Sequence, residues 1–170
     1  QQQILKRRGI QIAPSTIDSW VSKLGFLLEP LYNAMVESVK HSSYIQADET
    51  PTRVLDKNKK GKSHRGYYWV YHSPLKRMVV FDYQKSRNKD APRKILKNYK
   101  GYLQSDGYAV YNHYVTDESV VHLACWAHAR RYFEQALDHD KVRAEHVLLE
   151  IQKLYAIERE LKETTSEDRK

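Results

Sequence analysis

Tyr44-Ile45-Gln46-Ala47-Asp48-Glu49-Thr50-Pro51-Thr52 is a run of β-forming residues that reaches a carboxylate and then meets a proline. The alternation of apolar and polar residues up to Asp48 predicts a strand, and Pro51 predicts its end, because proline cannot donate to a ladder. A second segment, Gly101-Tyr102-Leu103-Gln104-Ser105-Asp106-Gly107-Tyr108, has the same construction of apolar strand, terminal aspartate and glycine turn. Side chains at strand ends reach the crevice where a parallel or mixed sheet collects its functional groups. Asp48 and Asp106 therefore read either as caps of two turns or as a carboxylate pair for a hard divalent cation such as Mg²⁺.

The whole chain of 170 residues, 41% hydrophobic and 29% charged, suffices for one core of ordinary domain size with a small helical appendage. No apolar run approaches the ~20 residues of a membrane-spanning helix, and no apolar signal core follows the basic N-terminus. A soluble, cytoplasmic protein is the expectation. A single cysteine, Cys125, excludes an internal disulfide and fits a reducing compartment. Lysine and arginine outnumber acids 29 to 21, giving a formal charge of +8. That excess favours a polyanionic partner, nucleic acid ahead of membrane. The opening glutamine and the polar close Glu163–Lys170 read as the ends of a piece cut from something longer.

The first segment, residues 1–42, is expected to be helical. Ile17, Trp20, Val21 and Leu24 recur at helical spacing, Gly25 marks an end, and a second helix from Pro30 carries Leu31, Met35 and Val39. Helix, glycine turn and helix fit either the remnant of a helix-turn-helix DNA reader or plain packing. Residues 43–126 then change regime. Strands are expected at Tyr44–Asp48, Gly66–Tyr71 and Met78–Tyr83, joined too tightly to cross over, so antiparallel. A helix over Asp90–Tyr99 leads to the strand Tyr102–Asp106, and Val120–Trp126 reads as a fifth, buried strand. Residues 127–170 are helical, with a break at Asp138-His139-Asp140.

Three antiparallel strands, a helix, then two more strands and helices is the element order of a ribonuclease H-like α/β fold with a five-stranded mixed sheet. In that order strands one and four lie side by side at the centre. Asp48 and Asp106 would meet there, 58 positions apart (106 − 48).

Three motifs in order resemble the transposases of the insertion sequence 66 family: Ala47-Asp-Glu-Thr-Pro51 with Arg53-Val-Leu55, Gly101–Tyr108 with Tyr111-Asn112, and Cys125-Trp-Ala-His-Ala-Arg-Arg131 with Phe133. Gly66–Tyr71, Phe81-Asp-Tyr83 and Ser86-Arg87 fall where that family has similar segments, so the likeness covers roughly residues 15 to 160. The resemblance implies a DDE-type core in which three acids hold two Mg²⁺ or Mn²⁺ ions that cut and rejoin DNA, in a homo-oligomer that joins two DNA ends. It makes Asp48 the first acid and Asp106 the second. It places the third in a downstream Asn-Asn segment, which does not occur here, and assigns residues 127–160 to a helical insertion.

Glu134, Glu145 and Glu158 are weaker candidates for the third acid, and ordinary solvated helix acids are the competing reading. Glu49 should point to the strand face opposite Asp48. His122, Cys125 and His128 form a His-x-x-Cys-x-x-His run, but a structural zinc site wants four ligands and no second cysteine exists. Lys59, Lys60, Lys62 and Arg65 in a basic tract, with Arg130 and Arg131, are candidate DNA phosphate contacts, and Tyr67, Tyr68 and Trp69 are candidates to stack on unpaired bases. Two functions remain open: a catalytic transposase core, and a non-catalytic DNA-binding or assembly fragment lacking the third acid.

Overall fold

The computed structural model describes residues 1–56, 61–115 and 118–161. In chain order the elements are α1 (Gln2–Arg7), α2 (Pro14–Lys40), β1 (Tyr44–Leu55), β2 (Ser63–Ser73), β3 (Met78–Gln84), α3 (Arg93–Leu96), β4 (Gly101–Ser105), a 3₁₀ helix (Ala109–Tyr114), β5 (Val120–Ala124), α4 (Trp126–Ala136) and α5 (Lys141–Glu160). The five strands form one mixed sheet in the order β3-β2-β1-β4-β5. β1 pairs antiparallel with β2 and β2 with β3, whereas β1, β4 and β5 run parallel. This is a ribonuclease H-like α/β arrangement with helices at both ends of the chain.

Strand alternation divides the sheet into two unlike faces. One face carries Ile45, Ala47, Trp69, Tyr71, Val80 and Leu103, all buried against Val36 and Val39 of α2, Ile95 and Leu96 of α3, and Val110 and Tyr111 of the 3₁₀ helix. The opposite face presents Tyr68, Val79, Phe81, Tyr83, Tyr102 and Val121, all exposed. Such half-covered sheets read as alternating sequence, which is why the strands were legible.

Several boundaries differ from those expected. α2 is a single helix of 27 residues with Gly25 and Pro30 inside it, so the turn that a helix-turn-helix reading needs at Gly25 does not form. Gly25 costs about 1 kcal/mol and Pro30, which has no amide to donate, about 3 kcal/mol, and the residues on either side of both positions keep the helix continuous through them. Pro14 suits its place at the start. β1 runs through Pro51, which lies opposite Tyr67, because β4 pairs only with Tyr44–Gln46. Beyond Gln46 one edge of β1 is open, and a proline nitrogen on an open edge costs no ladder bond. The helix expected over Asp90–Tyr99 shrinks to α3, bounded by Pro92 and by Asn98 at φ 63°. The break at 138–140 forms as expected, with Asp140 accepting a hydrogen bond from the Arg143 amide at 3.3 Å to cap α5.

Gly101 opens β4 at φ 130°, where a Cβ would lie 2.5 Å from the Ser43 carbonyl oxygen. Only glycine takes that conformation at such close approach. Gly101→Ala is expected to cost about 1–3 kcal/mol in urea unfolding, since neither the strain nor the backbone contact can relax. A second test uses Tyr99, whose hydroxyl donates to the Tyr102 carbonyl at 3.0 Å. Burial pushes its phenol from 10 up to about 12, and burial raises Tyr71 and Tyr111 as well. The folded chain then keeps protons that the unfolded chain gives up, so stability holds below pH 10 and falls between 10 and about 12. Tyr99→Phe should flatten that fall in alkaline unfolding curves.

Candidate metal centre

The parallel register of β1 and β4 sets Tyr44 beside Tyr102, Ile45 beside Leu103 and Gln46 beside Gln104. Continued by two residues, it brings Asp48 level with Asp106 on the same, open face. A cavity of about 240 Å³ sits there, lined by Asp48, Asp106, Gln46, Gln104, His72, Cys125 and His128 among others. β5 delivers the third wall. The Cys125 amide donates to the Ser105 carbonyl at 3.1 Å, and α4 begins at the next residue, so His128 lies in its first turn and turns back over the strand ends.

Asp48, Asp106 and His128 each offer one ligand atom, and these three atoms lie within 4.8 Å of one another. The His128 Nε2 is 3.8 Å from Asp48 Oδ2, and its Nδ1 is buried without a hydrogen-bond partner among the described residues. Each carboxylate is oriented by backbone through its other oxygen. Asp48 Oδ1 accepts from the Glu49 amide at 2.8 Å, and Asp106 Oδ1 accepts from the Tyr108 amide at 3.1 Å. The second oxygen of each acid remains for a cation.

Beneath the acids a polar ladder fixes the two strands in register. The Tyr44 hydroxyl donates to Gln104 Oε1 at 2.5 Å, Gln46 Nε2 donates to the same oxygen at 2.8 Å, and His72 Nδ1 donates to Gln46 Oε1 at 2.8 Å.

On the reverse face, the Glu49 side chain is 2% exposed where that of Asp48 is 56% exposed. Arg87 donates to Glu49 Oε1 through both Nε and Nη2, and the Tyr111 hydroxyl donates to Oε2 at 2.9 Å. Burial pushes the Glu49 carboxyl above its ordinary range, while Arg87 and Tyr111 pull it back. Arg87 also stacks 3.9 Å above the Tyr108 ring, and the Tyr108 hydroxyl donates to the Arg87 carbonyl at 2.9 Å. The turn that orients Asp106 is thereby tied to the residue next to Asp48.

The other sequence candidates disperse. Glu134 pairs with Arg130 at 2.8 Å, Glu145 with Lys141 at 3.6 Å, and Glu158 is exposed on α5. Among the described residues none of the three joins the aspartate pair. The His-x-x-Cys-x-x-His run is split, because His122 Nε2 meets Ser105 Oγ at 2.8 Å on the covered face while Cys125 and His128 line the cavity. Lys59 and Lys60 lie outside the described residues. Lys62 and Arg65 are exposed, Arg65 on β2 rather than in a loop. Arg130 and Arg131 line a cleft of about 670 Å³ between α4 and α5, together with Arg159. Trp69 is fully buried against Tyr111, ring centroids 5.9 Å apart, so it is core and cannot stack on a base. Tyr67 is half-buried and Tyr68 exposed.

The ribonuclease H-like mixed sheet, with β1, β4 and β5 parallel and β2 and β3 antiparallel beside them, is the framework of a transposase-class protein. The chain belongs to the Transposase IS66 family, whose description matches residues 1–170. It is 30% identical over 149 residues to the uncharacterized protein y4qI of Sinorhizobium fredii, covering 78% of this chain and 27% of that one. It is 28% identical over 186 residues to the uncharacterized protein y4jD of the same organism, covering 99% of this chain and 36% of that one. The chain thus spans about a third of the length of these relatives. Among solved structures it is similar to a simian T-cell lymphotropic virus intasome in complex with PP2A regulatory subunit B56 gamma, at 14% identity and a TM-score of 0.35 over 64% of this chain and 47% of that one.

Arg87→Ala leaves the buried Glu49 carboxylate without its main partner. Because Arg87 itself is 41% exposed, the expected loss is about 2–3 kcal/mol, below that of a fully buried pair, read as a lowered urea midpoint. Arg87→Lys should recover only part of it, since one ammonium cannot reproduce the fork.

Proposed function

We propose that the chain is part of a metal-dependent DNA transposase core, one that cleaves DNA and transfers strands at the ends of an insertion sequence. The observation that carries this reading is the convergence of Asp48, Asp106 and His128, from three separate elements, within 4.8 Å. Two carboxylate oxygens and an imidazole nitrogen on an open face suit Mg²⁺ or, with the nitrogen, Mn²⁺. His128 is an addition to the two acids that the sequence resemblance implies.

Divalent ions held there would supply an activated oxygen nucleophile and neutralise charge on the departing oxygen. The residues of the chain hold the site. Asp48 and Asp106 present their free oxygens, the Glu49 and Tyr108 amides keep those oxygens oriented, and His128 closes the side toward α4. A complete site needs a third acid, which the resemblance places in an Asn-Asn segment beyond these 170 residues. Activity on bacterial DNA would place the protein in the cytoplasm, and no helix among the described residues is long and apolar enough to cross a membrane. Lys62, Arg65, Arg130 and Arg131, with Lys59 and Lys60, are the proposed phosphate contacts, in keeping with the excess of basic residues. The alternative, a DNA-binding or assembly fragment without catalysis, is favoured by one observation: among the described residues no glutamate joins the cluster of Asp48, Asp106 and His128.

Calorimetric titration with Mn²⁺ tests the site. Binding should be abolished in Asp48→Ala and in Asp106→Ala and weakened on the order of tenfold in His128→Ala. Binding indifferent to both aspartate changes would overturn the metal centre. With Mg²⁺ and DNA, the purified chain should show little turnover by itself, and robust cleavage would remove the need for a third acid.

A further inference from the structure

Helix α2 reaches the sheet only through its last turns. The Tyr32 hydroxyl donates to the Phe81 carbonyl at 3.1 Å, and Val36 and Val39 are buried. Every residue from 18 to 31 is exposed. Yet this segment is far from polar: Trp20, Val21, Leu24, Leu27, Leu28 and Leu31 are each between 51% and 70% exposed. With Ile17 they recur at spacings of three and four, one apolar stripe along about 21 Å of helix. Such an uninterrupted stripe is a docking surface rather than scattered surface apolarity.

We propose that this stripe packs against the same helix of a second copy, antiparallel, about a two-fold axis at Leu24. A two-fold interface requires that where residue i meets j, j also meets i. The positions of the stripe satisfy this, since 17, 20, 21, 24, 27, 28 and 31 read identically in both directions about 24, while Phe26, also apolar and 76% exposed, lies on the opposite side of the helix and outside the stripe. Ile17 then faces Leu31, Trp20 faces Leu28, Val21 faces Leu27, and Leu24 faces its own copy. The apolar surface available is on the order of 600 Å² per copy, close to the ~800 Å² per partner of a stable interface. The inference rests on α2 alone and stands whether or not the metal centre is catalytic.

Sedimentation velocity of the purified chain at micromolar concentration should show a dimer. Leu24→Glu should raise its dissociation constant at least tenfold, with the circular dichroism spectrum and Mn²⁺ binding unchanged. Orientation is read by cross-linking in a Cys125→Ser background. Mild oxidation should trap a covalent dimer of Ile17→Cys/Leu31→Cys but not of Ile17→Cys alone. A monomer with full helicity would overturn the proposal and leave the stripe to another segment of a longer protein. A dimer untouched by Leu24→Glu, or one trapped by Ile17→Cys alone, would overturn it equally.

Discussion

The buried Glu49 carboxylate is the constraint on which the rest of this structure turns. A charge taken out of water must be matched, and here Arg87 and Tyr111 match it from two directions. Because Glu49 follows Asp48 on one strand, whatever fixes Glu49 also fixes the stretch of β1 that carries Asp48. Because Arg87 lies on Tyr108, the same pair fixes the turn that orients Asp106. One ion pair behind the sheet therefore positions two acids in front of it.

The two faces of the sheet divide the labour. The covered face carries the aliphatic and aromatic core that stabilises the fold, with Trp69 and Tyr111 in edge-to-face contact. The open face carries the polar ladder Tyr44–Gln104–Gln46–His72, whose hydrogen bonds hold β1 and β4 in register directly below the aspartates. A slip of one residue would send Asp48 to the covered face and Glu49 to the open one, so this ladder guards the identity of the site as well as its shape.

How much of this was legible in the sequence varied with the physics behind each signal. The strands and the convergence of Asp48 and Asp106 were readable because period-two alternation and strand order are strong local and topological rules. Glu49 was assigned to the opposite face by the same alternation. Gly25, Pro30 and Pro51 misled because local breakers yield when the surrounding element gains more by continuing or when an edge is open. Trp69 looked available for stacking, but its aromatic neighbours in sequence alternate between faces, and it falls on the buried one. His128 was read as part of a zinc-like run and of the third family motif, not as a neighbour of the aspartates. The missing signal was its place three residues past Cys125, in the first turn of a helix that starts beside β4, from which a side chain bends back over the strand ends.

The mixed sheet also imposes an order of assembly. β1 finds β2 across a short connection, while its pairing with β4 joins residues 58 apart, as between Gln46 and Gln104. Closing the longer loop costs more chain entropy, and non-local pairing is slow to be rewarded. The hairpin of β1 and β2 can form with Asp48 alone in place; Asp106 arrives with the crossover, and His128 after it. The three side chains of the cluster thus come together last as the chain folds, and a partly folded chain does not yet hold Asp48, Asp106 and His128 side by side.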